Sequence, residues 1–183
     1  MNGPAKAKEP AAEPVKSFTQ EAQELLARAY KEAARLHHRS VRTEHLLIAL
    51  IDEKQGTATK VLTRNRIDLE RLRSQLIDLA EAGSSGRQAS GSFLRKLFST
   101  AGSSIRSMLS IPNRLPYTLR VKKALALAMH EARDLGQPNV GVEHILLGVI
   151  RERDGNVPRL LTLLGIELET ARKAIVAEAS GKQ

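Results

Sequence analysis

Two Glu-His pairs, Glu44-His45 and Glu143-His144, are the residues of this sequence whose types and spacing could do chemistry. A carboxylate beside an imidazole could serve acid–base catalysis, hold a metal ion or bind a cation. Metal binding is disfavoured because neither histidine has a second histidine four residues later and the chain has no cysteine. Catalysis is disfavoured because no nucleophile lies in a recognisable elbow. We therefore expect no metal, no cofactor and no enzyme activity.

Each pair begins an apolar run, which covers residues 43–51 around Glu44 and residues 142–150 around Glu143. A glutamate in a first helical turn stabilises the helix dipole by about 0.3–1 kcal/mol without binding any ligand. The two adjacent histidines are expected to pack or to form a second hydrogen bond. Another pair, His37-His38, lies in a polar turn and is expected to be solvated.

The two pairs belong to an internal duplication. A shift of 99 positions aligns residues 18–76 with residues 117–175 without a gap, and 20 of the 59 aligned positions are identical. In each copy, apolar residues recur every three or four positions after an aromatic-Thr pair, which predicts an amphipathic helix. Thr19 and Thr118 are predicted N-caps of these helices, which end near Leu36 and Leu135.

Three further helices are predicted in each copy. The apolar runs that contain the Glu-His pairs have no polar face, so they should lie in the middle of a bundle. Gly56 and Gly155 precede a short third helix, and a fourth begins near residues 67 and 166. The sequence therefore predicts an all-α fold in which two pseudo-symmetric four-helix repeats pack as one domain.

The amino-acid composition indicates which class of protein and which cellular compartment to expect. The 42% hydrophobic content supports a buried core, the absence of cysteine removes disulfides, and no stretch reaches the roughly 20 apolar residues that a spanning helix needs. Residues 1–17 are rich in Ala, Pro, Lys and Glu and are expected to form a disordered tail. We expect a soluble cytoplasmic protein with repeat 1 at residues 18–82, repeat 2 at 117–179 and a tail at 180–183.

A basic linker, residues 83–116, joins the repeats and supplies +5 of the formal net charge of +9, since it contains no Asp or Glu. Its spacing of apolar residues predicts a short basic amphipathic helix within residues 91–109. This helix could fold back on the bundle, dock to a partner groove or lie on an anionic membrane. Nucleic acid is disfavoured because no dense run of Arg or Lys is present. The candidate docking residues are Phe93, Leu94, Arg95, Lys96, Leu97 and Phe98.

The doubled aromatic-Thr start, the Glu-His-(Leu/Ile)-Leu helix and the Gly turn resemble the Clp N-terminal (Clp repeat) domain. Members of that family usually precede AAA+ unfoldase rings of the ClpA, ClpB and ClpC type and dock adaptors and substrates. This sequence has no Gly-x-x-x-x-Gly-Lys-Ser/Thr phosphate loop. It therefore resembles the short stand-alone members that associate with Clp proteases.

The resemblance also implies binding residues. In some ClpC-type members the Glu of each Thr-Glu-His motif lines a pocket that holds phosphorylated arginine. The first copy keeps Thr43-Glu44, whereas the second has Val142-Glu143 and lacks the hydroxyl. The predicted partner or substrate site comprises Thr19, Thr43, Glu44, Thr118 and Glu143.

Two functions follow as expectations. The first is a non-catalytic accessory or adaptor protein of a Clp protease or unfoldase, which binds Clp ATPase or peptidase subunits, adaptors or substrates through the groove between its repeats. Arginine-phosphorylated proteins are among the expected substrates. The alternative is a binding module for membrane surfaces or nucleic acid that uses the basic linker.

Overall fold

The computed structural model describes residues 17–82 and 115–180, which form eight helices and two short β-strands. The first repeat comprises β1 (Ser17–Phe18), α1 (Gln20–Arg35), α2 (Thr43–Ile51), α3 (Thr57–Arg64) and α4 (Leu69–Ala82). The second comprises α5 (Leu119–Asp134), β2 (Asn139–Val140), α6 (Val142–Arg151), α7 (Asn156–Leu163) and α8 (Leu168–Ser180). The prediction of two four-helix repeats is confirmed.

The first helix of each repeat begins and ends as its sequence predicts. The Thr19 hydroxyl accepts the N–H of Ala22 at 3.2 Å, and the Thr118 hydroxyl accepts the N–H of Val121 at 3.4 Å. These bonds satisfy one of the backbone donors that a helix start leaves unpaired. Leu36 and Leu135 are the C-cap residues of α1 and α5, in agreement with the predicted ends.

The Glu-His helices occupy the centre of the domain. All nine residues of α2 are buried, and α6 is buried from His144 to Ile150. Helix α2 packs against α1 and α4 of its own repeat and against α6 and α7 of the other. Burial on every side explains why neither run shows an apolar stripe, since there is no solvent-facing side to be polar.

Helices α5 and α6 approach each other closely at Gly148. A Cβ atom at this position would overlap the backbone carbonyl of Ala124, and the backbone N of Ala128 would be 2.8 Å from it. The equivalent residue of the first repeat, 99 positions earlier, is Ala49, which is 2% exposed. The two repeats therefore differ in how tightly the Glu-His helix packs on the preceding helix.

Short β contacts join the repeats to each other. Strands β1 and β2 pair in parallel with Phe18 opposite Val140, and an isolated bridge places Val41 opposite Tyr117. Since Tyr117 and Val140 are the 99-residue equivalents of Phe18 and Val41, each repeat pairs its start with the α1–α2 or α5–α6 loop of the other. Ser17, the last residue of the predicted tail, belongs to β1, and its hydroxyl contacts Oδ1 of Asn139 at 2.8 Å.

Candidate functional site

The histidine of each Glu-His pair has a structural role at a helix start. Nδ1 of His45 accepts the backbone N–H of Arg42 at 2.9 Å, and Nδ1 of His144 accepts that of Gly141 at 2.9 Å. Arg42 and Gly141 are the N-cap residues of α2 and α6, and each histidine is the third residue of its helix. The imidazole thus does what Glu or Gln does at this position in a capping box.

The second ring nitrogen has a different environment in each repeat. Because Nδ1 accepts a hydrogen bond, the neutral ring carries its proton on Nε2. His45 therefore donates from Nε2 to Nδ1 of His38, which lies 2.8 Å away. In the second repeat Gln137 stands in place of His38, and Nε2 of His144 is buried with no hydrogen-bond partner in the described part of the chain.

The surroundings of His37 and His38 can be compared with the prediction that both are solvated. His37 is exposed, as expected, but the prediction that His38 is solvated is wrong, because it is half-buried against His45. Burial, with a smaller effect from His38, lowers the pKa of His45 from 6.5 to about 4. Burial also lowers the pKa of His144. Both rings are therefore neutral at physiological pH.

Glu44 lies at the junction of the two repeats. Its side chain is buried, Oε2 accepts the hydroxyl of Thr43 at 3.0 Å, and Oε1 accepts the amide of Asn156 at 3.0 Å. Asn156 is the first residue of α7, so this carboxylate joins α2 of the first repeat to the second repeat. Both of its oxygens are engaged within the fold. Sequence reasoning selected Thr43 and Glu44 but missed Asn156.

Two of the three predicted site threonines, Thr19 and Thr118, lie beside the Glu-His helix of the opposite repeat. The backbone N–H of Thr118 donates to the carbonyl of Val41 at 3.0 Å, just before α2, and that of Thr19 donates to the carbonyl of Val140 at 2.9 Å, just before α6. The structure thus brings Thr118 next to the start of the helix that contains Glu44, and Thr19 next to the start of the helix that contains Glu143, which is half-buried. The threonine hydroxyls cap helices, and a role for them in ligand binding stays a prediction.

An open cleft of about 420 Å³ separates α4 of the first repeat from α7 of the second. Its wall includes Leu163, a residue that is 84% exposed. It also includes Asn156, so the cleft begins next to the buried Glu44 junction. Two of its rim residues carry opposite charges, one on each helix. The lining residues are Gln75, Asp78, Leu79, Asn156, Arg159, Leu160 and Leu163.

The equivalent interface on the other side of the domain, between α3 and α8, is bridged. Arg64 of α3 forms a salt bridge with Glu178 of α8 at 2.6 Å. A shift of 99 residues maps Arg64 onto Leu163 and Leu79 onto Glu178, so the ion pair of one interface is replaced by two leucines in the other. The aligned sequences contained this signal, although only the structure shows that all four residues face the gaps between the repeats.

Sequence reasoning also missed a pair of charged residues that recurs in the duplication. Glu131 is fully buried and pairs with Arg172 of α8 at 2.9 Å and with Arg151 at 3.0 Å. Its equivalent Glu32 pairs with Arg73 of α4 at 2.7 Å. These pairs tie the first helix of each repeat to the fourth. The Arg35 hydrogen bond, with a smaller effect from Arg73, lowers the pKa of Glu32.

Three predictions remain: that the chain has no metal site, that it has no membrane-spanning helix, and that residues 91–109 form an amphipathic segment. No group of three His, Asp or Glu side chains within residues 17–82 and 115–180 is arranged to hold a metal ion. Over the same ranges, no helix combines the length and apolar character needed to cross a bilayer. The amphipathic segment at 91–109 and its candidate docking residues 93–98 lie outside the described ranges, so the membrane and nucleic-acid alternative is untested.

Comparison with known families matches the Clp repeat (R) N-terminal domain model to residues 17–108 and 116–183. The chain is 36% identical over 159 residues to the negative regulator of genetic competence ClpC/MecB of Bacillus subtilis (strain 168), covering 87% of this chain and 16% of the relative. It is 34% identical to the chaperone protein ClpB of Oceanobacillus iheyensis, again over 87% of this chain and 17% of the relative. The chain thus spans about a sixth of the length of these relatives.

Solved structures show the same fold at lower identity. The Hsp104 N-terminal domain from Candida albicans superposes with a TM-score of 0.63 at 15% identity, covering 92% of this chain and 94% of that one. The N-terminal domain of the chaperone ClpD from Arabidopsis thaliana superposes with a TM-score of 0.57 at 21% identity, covering 89% and 94%. Both likenesses concern the fold alone.

Proposed function

The chain belongs to the Clp repeat N-terminal domain family, and from this premise we propose that it is a non-catalytic adaptor of a Clp protease or unfoldase. In this proposal it binds a Clp ATPase or peptidase subunit, or a protein substrate, at the junction of its two repeats. A non-catalytic role is supported by the recurring residues themselves, because His45, His144 and Glu44 are engaged in hydrogen bonds that hold helices in place.

The observation that carries the proposal is the open cleft between α4 and α7. Its volume of about 420 Å³ lies in the range of ligand-binding clefts. Leu163 is exposed and lies beside the half-buried Leu79, and covering an exposed leucine side chain contributes about 1.5–3 kcal/mol. A protein partner with an apolar anchor side chain therefore fits this site.

Polar groups around the apolar wall can orient such a partner. Asp78 and Arg159 lie on opposite sides of the cleft, so a partner segment with one basic and one acidic flanking residue would be complementary to them. Oε1 of Gln75 is a buried acceptor with no hydrogen-bond partner in the described part of the chain. A donor group of the partner could satisfy it after a small rotation of the amide.

A binding experiment tests the proposal. The purified chain is immobilised and titrated separately with the Clp ATPase ring, the Clp peptidase and Clp substrates of its own host. The double variant Leu79→Glu/Leu163→Arg places in the cleft the ion pair found at the other interface, and should weaken binding at least about tenfold, which corresponds to roughly 1.4 kcal/mol.

The matched control is Arg64→Leu/Glu178→Leu, which makes the reverse exchange at the α3–α8 interface and should bind the ring as the wild type does. Circular dichroism and thermal unfolding confirm that both variants are folded. Absence of binding by the wild type to any Clp ATPase, peptidase or substrate of the host refutes the adaptor proposal. Equal loss in both double variants refutes the assignment of the cleft.

We extend the proposal to arginine-phosphorylated substrates, which the family resemblance suggests for Glu44 and Glu143. A carboxylate can pair with the planar guanidinium while a helix start binds the phosphate. At Glu44, however, Thr43 and Asn156 already occupy the carboxylate, so a guanidinium would have to displace the Asn156 amide. Titration with a phosphoarginine peptide, comparing the wild type with Glu44→Ala and Glu143→Ala, tests this, and equal affinity for all three chains would contradict it.

A further inference from the structure

We propose that Gln75 holds the cleft between α4 and α7 open, and that without this side chain α4 packs on α7 as α8 packs on α3. In this closed form the two leucines of the cleft, Leu79 and Leu163, contact each other. The two charges at its rim, Asp78 and Arg159, form a salt bridge. Closure is a property of the isolated chain, and its consequence for binding rests on the proposed function.

The interface between α3 and α8 shows how these helices pack when no cleft separates them. Helix α8 packs directly on α3, and Arg64 and Glu178 form a salt bridge there at 2.6 Å. A shift of 99 residues maps α3 onto α7 and α4 onto α8, so the two interfaces are built from equivalent helices. The opening between α4 and α7 therefore requires a cause in the residues that differ.

The leucines of the cleft match each other across it. On α4, Leu79 stands where α8 has Glu178. On α7, Leu163 stands where α3 has Arg64. An ion pair in one interface thus corresponds to an apolar pair in the other, and either pair is compatible with direct contact between the helices. A leucine opposite a charge would not be, because contact would remove water from a charge without giving it a partner.

The charges at the rim match as well. Asp78 precedes Leu79 on α4, and Arg159 lies one turn before Leu163 on α7. Both charged residues are exposed, and their opposite signs attract each other more strongly as the walls approach. An approach of α4 to α7 is therefore favoured by one apolar contact and one ionic contact.

The attachment of α4 to the domain fits the closed form too. In the first half of α4, Arg73 pairs with Glu32 of α1 at 2.7 Å. The equivalent pair of the second repeat, Arg172 of α8 and Glu131 of α5, lies at 2.9 Å. Since α8 keeps this pair while it packs on α3, α4 can keep its own pair while its second half moves towards α7.

Gln75 is the lining residue whose size and polarity oppose this movement. Its equivalent on α8 is Ala174, which lies one turn before Glu178 and therefore on the side of α8 that faces α3. A glutamine needs more room between two helices than an alanine. Its Oε1 is already buried without a hydrogen-bond partner in the described part of the chain, and closure would bury more of the amide beside the apolar Leu160.

Distances between spin labels in the full-length chain test the proposal, because the chain has no cysteine that would be labelled as well. The cleft label pair is Ser74→Cys on α4 and Thr162→Cys on α7, both at exposed positions. The control label pair is Lys173→Cys on α8 and Thr63→Cys on α3, which are the equivalent exposed positions at the bridged interface. Pulsed electron paramagnetic resonance measures both distances.

With Gln75 in place, the cleft label pair should give a longer distance than the control label pair. The variant Gln75→Ala should shift the cleft pair towards the control distance, with the population at the shorter distance rising at least about threefold. Gln75→Glu, which keeps the size and polarity of the side chain, should leave the longer distance in place. Neither change should alter the distance of the control label pair.

An unchanged distance of the cleft label pair in Gln75→Ala would overturn the proposal. Another difference between α4 and α8, such as Leu72 in place of Ala171, would then be the cause of the cleft. A wild-type distance that already equals that of the control pair would overturn it as well, since Gln75 would then hold nothing open. Circular dichroism shows whether the variants fold.

A second variant verifies that the labels report closure. Leu79→Glu/Leu163→Arg installs in the cleft the ion pair that bridges the other interface, and should also shorten the distance of the cleft label pair. If neither this variant nor Gln75→Ala shortens it, α4 does not approach α7 and the closed form does not exist.

The two proposals fail separately. The label distances are measured on the purified chain, so closure can be observed even if no Clp component binds. If the adaptor proposal also holds, Gln75→Ala should weaken binding of the partner at least about threefold, because the partner binds the open form. A shortened distance with unchanged binding would keep the closed form and place the partner elsewhere on the domain.

Discussion

The amide of Asn156 donates to the carboxylate of Glu44 across 3.0 Å, and this single bond connects the first residue of α7 to the Glu-His helix of the other repeat. The glutamate is 3% exposed, so the carboxylate depends on this amide and on the Thr43 hydroxyl to replace its hydration. The same asparagine lines the α4–α7 cleft. Asn156 thus belongs both to the junction of the repeats and to the wall of the candidate site.

Replacing Asn156 with Ala should destabilise the domain by about 1–3 kcal/mol, because one oxygen of a buried carboxylate loses its donor. The measurement is chemical denaturation at pH 7. Arg159→Ala, an exposed change on the same helix, is the control and should stay within about 0.5 kcal/mol of the wild type. A loss no larger than that of the control would show that Glu44 finds another partner.

The variant Asn156→Asp should cost more at pH 7 than at pH 5. It places two carboxylates in contact, and proton uptake by one of them at the lower pH restores a donor and removes the repulsion. Denaturation curves at the two pH values, each referred to the wild type at the same pH, measure the difference. Equal costs at both pH values would contradict this account of the junction.

Gly148 should tolerate no side chain. In Gly148→Ala the added Cβ would overlap the carbonyl of Ala124, which belongs to helix backbone and cannot rotate away, so α5 and α6 must separate. We expect a loss of at least about 2 kcal/mol in the free energy of unfolding. The reverse change at the equivalent position, Ala49→Gly, should cost only about 1 kcal/mol through helix propensity. A neutral Gly148→Ala variant would show that this helix contact is looser than the structure indicates.

The residue after the C-cap of the first helix is His37 in one repeat and Gly136 in the other, although both have a positive φ. His37 has a φ of 55° and Gly136 a φ of 67°, in the left-handed region where a side chain costs about 1 kcal/mol. His37→Gly should therefore stabilise the domain by a few tenths to about 1 kcal/mol. Gly136→Ala should destabilise it by a similar amount, since no atom lies within 4 Å of the added Cβ and the cost is conformational alone. Thermal unfolding of both variants measures the two effects, and a shift of the same sign in both would contradict the prediction.

The fold was predictable because each helix is determined by residues close to it in sequence, and because the same pattern occurs in both repeats. The periodic apolar residues of α1, the cap at Thr19 and the uniformly apolar α2 each determine structure within a few residues of themselves. Repetition after 99 residues then doubled the evidence for every element. Two-residue strands such as β1 contain too few positions for any alternation to be recognised, so they were missed.

The candidate site was predictable only in part because it is assembled across the repeats. Thr43 and Glu44 follow from the motif, but their partner Asn156 is 112 residues from Glu44 in sequence, and its role depends on how α7 packs. The capping role of His45 had a local signal, since the third residue of a helix is where a side-chain acceptor is wanted. The cleft depends on how far apart α4 and α7 lie, and the spacing of apolar residues along the sequence gives no information about that distance.

Acid should destabilise the domain through His45 between about pH 6.5 and pH 4. The pKa of this ring is about 6.5 in the unfolded chain and about 4 in the folded one, because burial, with a smaller effect from His38, disfavours the charged form. The unfolded state therefore binds more protons between these values, and stability is complete above about pH 6.5 and is lost as the pH falls towards 4. From pH 7 to pH 5 the expected loss from this residue is about 2 kcal/mol.

His45→Gln tests this assignment, because an amide oxygen can accept the Arg42 N–H without titrating. The variant should be less stable at pH 7 through lost packing, yet its stability should change much less between pH 7 and pH 5. A smaller dependence should remain because burial also lowers the pKa of His144. The exposed change His37→Gln is the control and should keep the full dependence of the wild type. If the His45→Gln curve runs parallel to that of the wild type over this pH range, the acid sensitivity belongs to other groups and the buried imidazole is not its source.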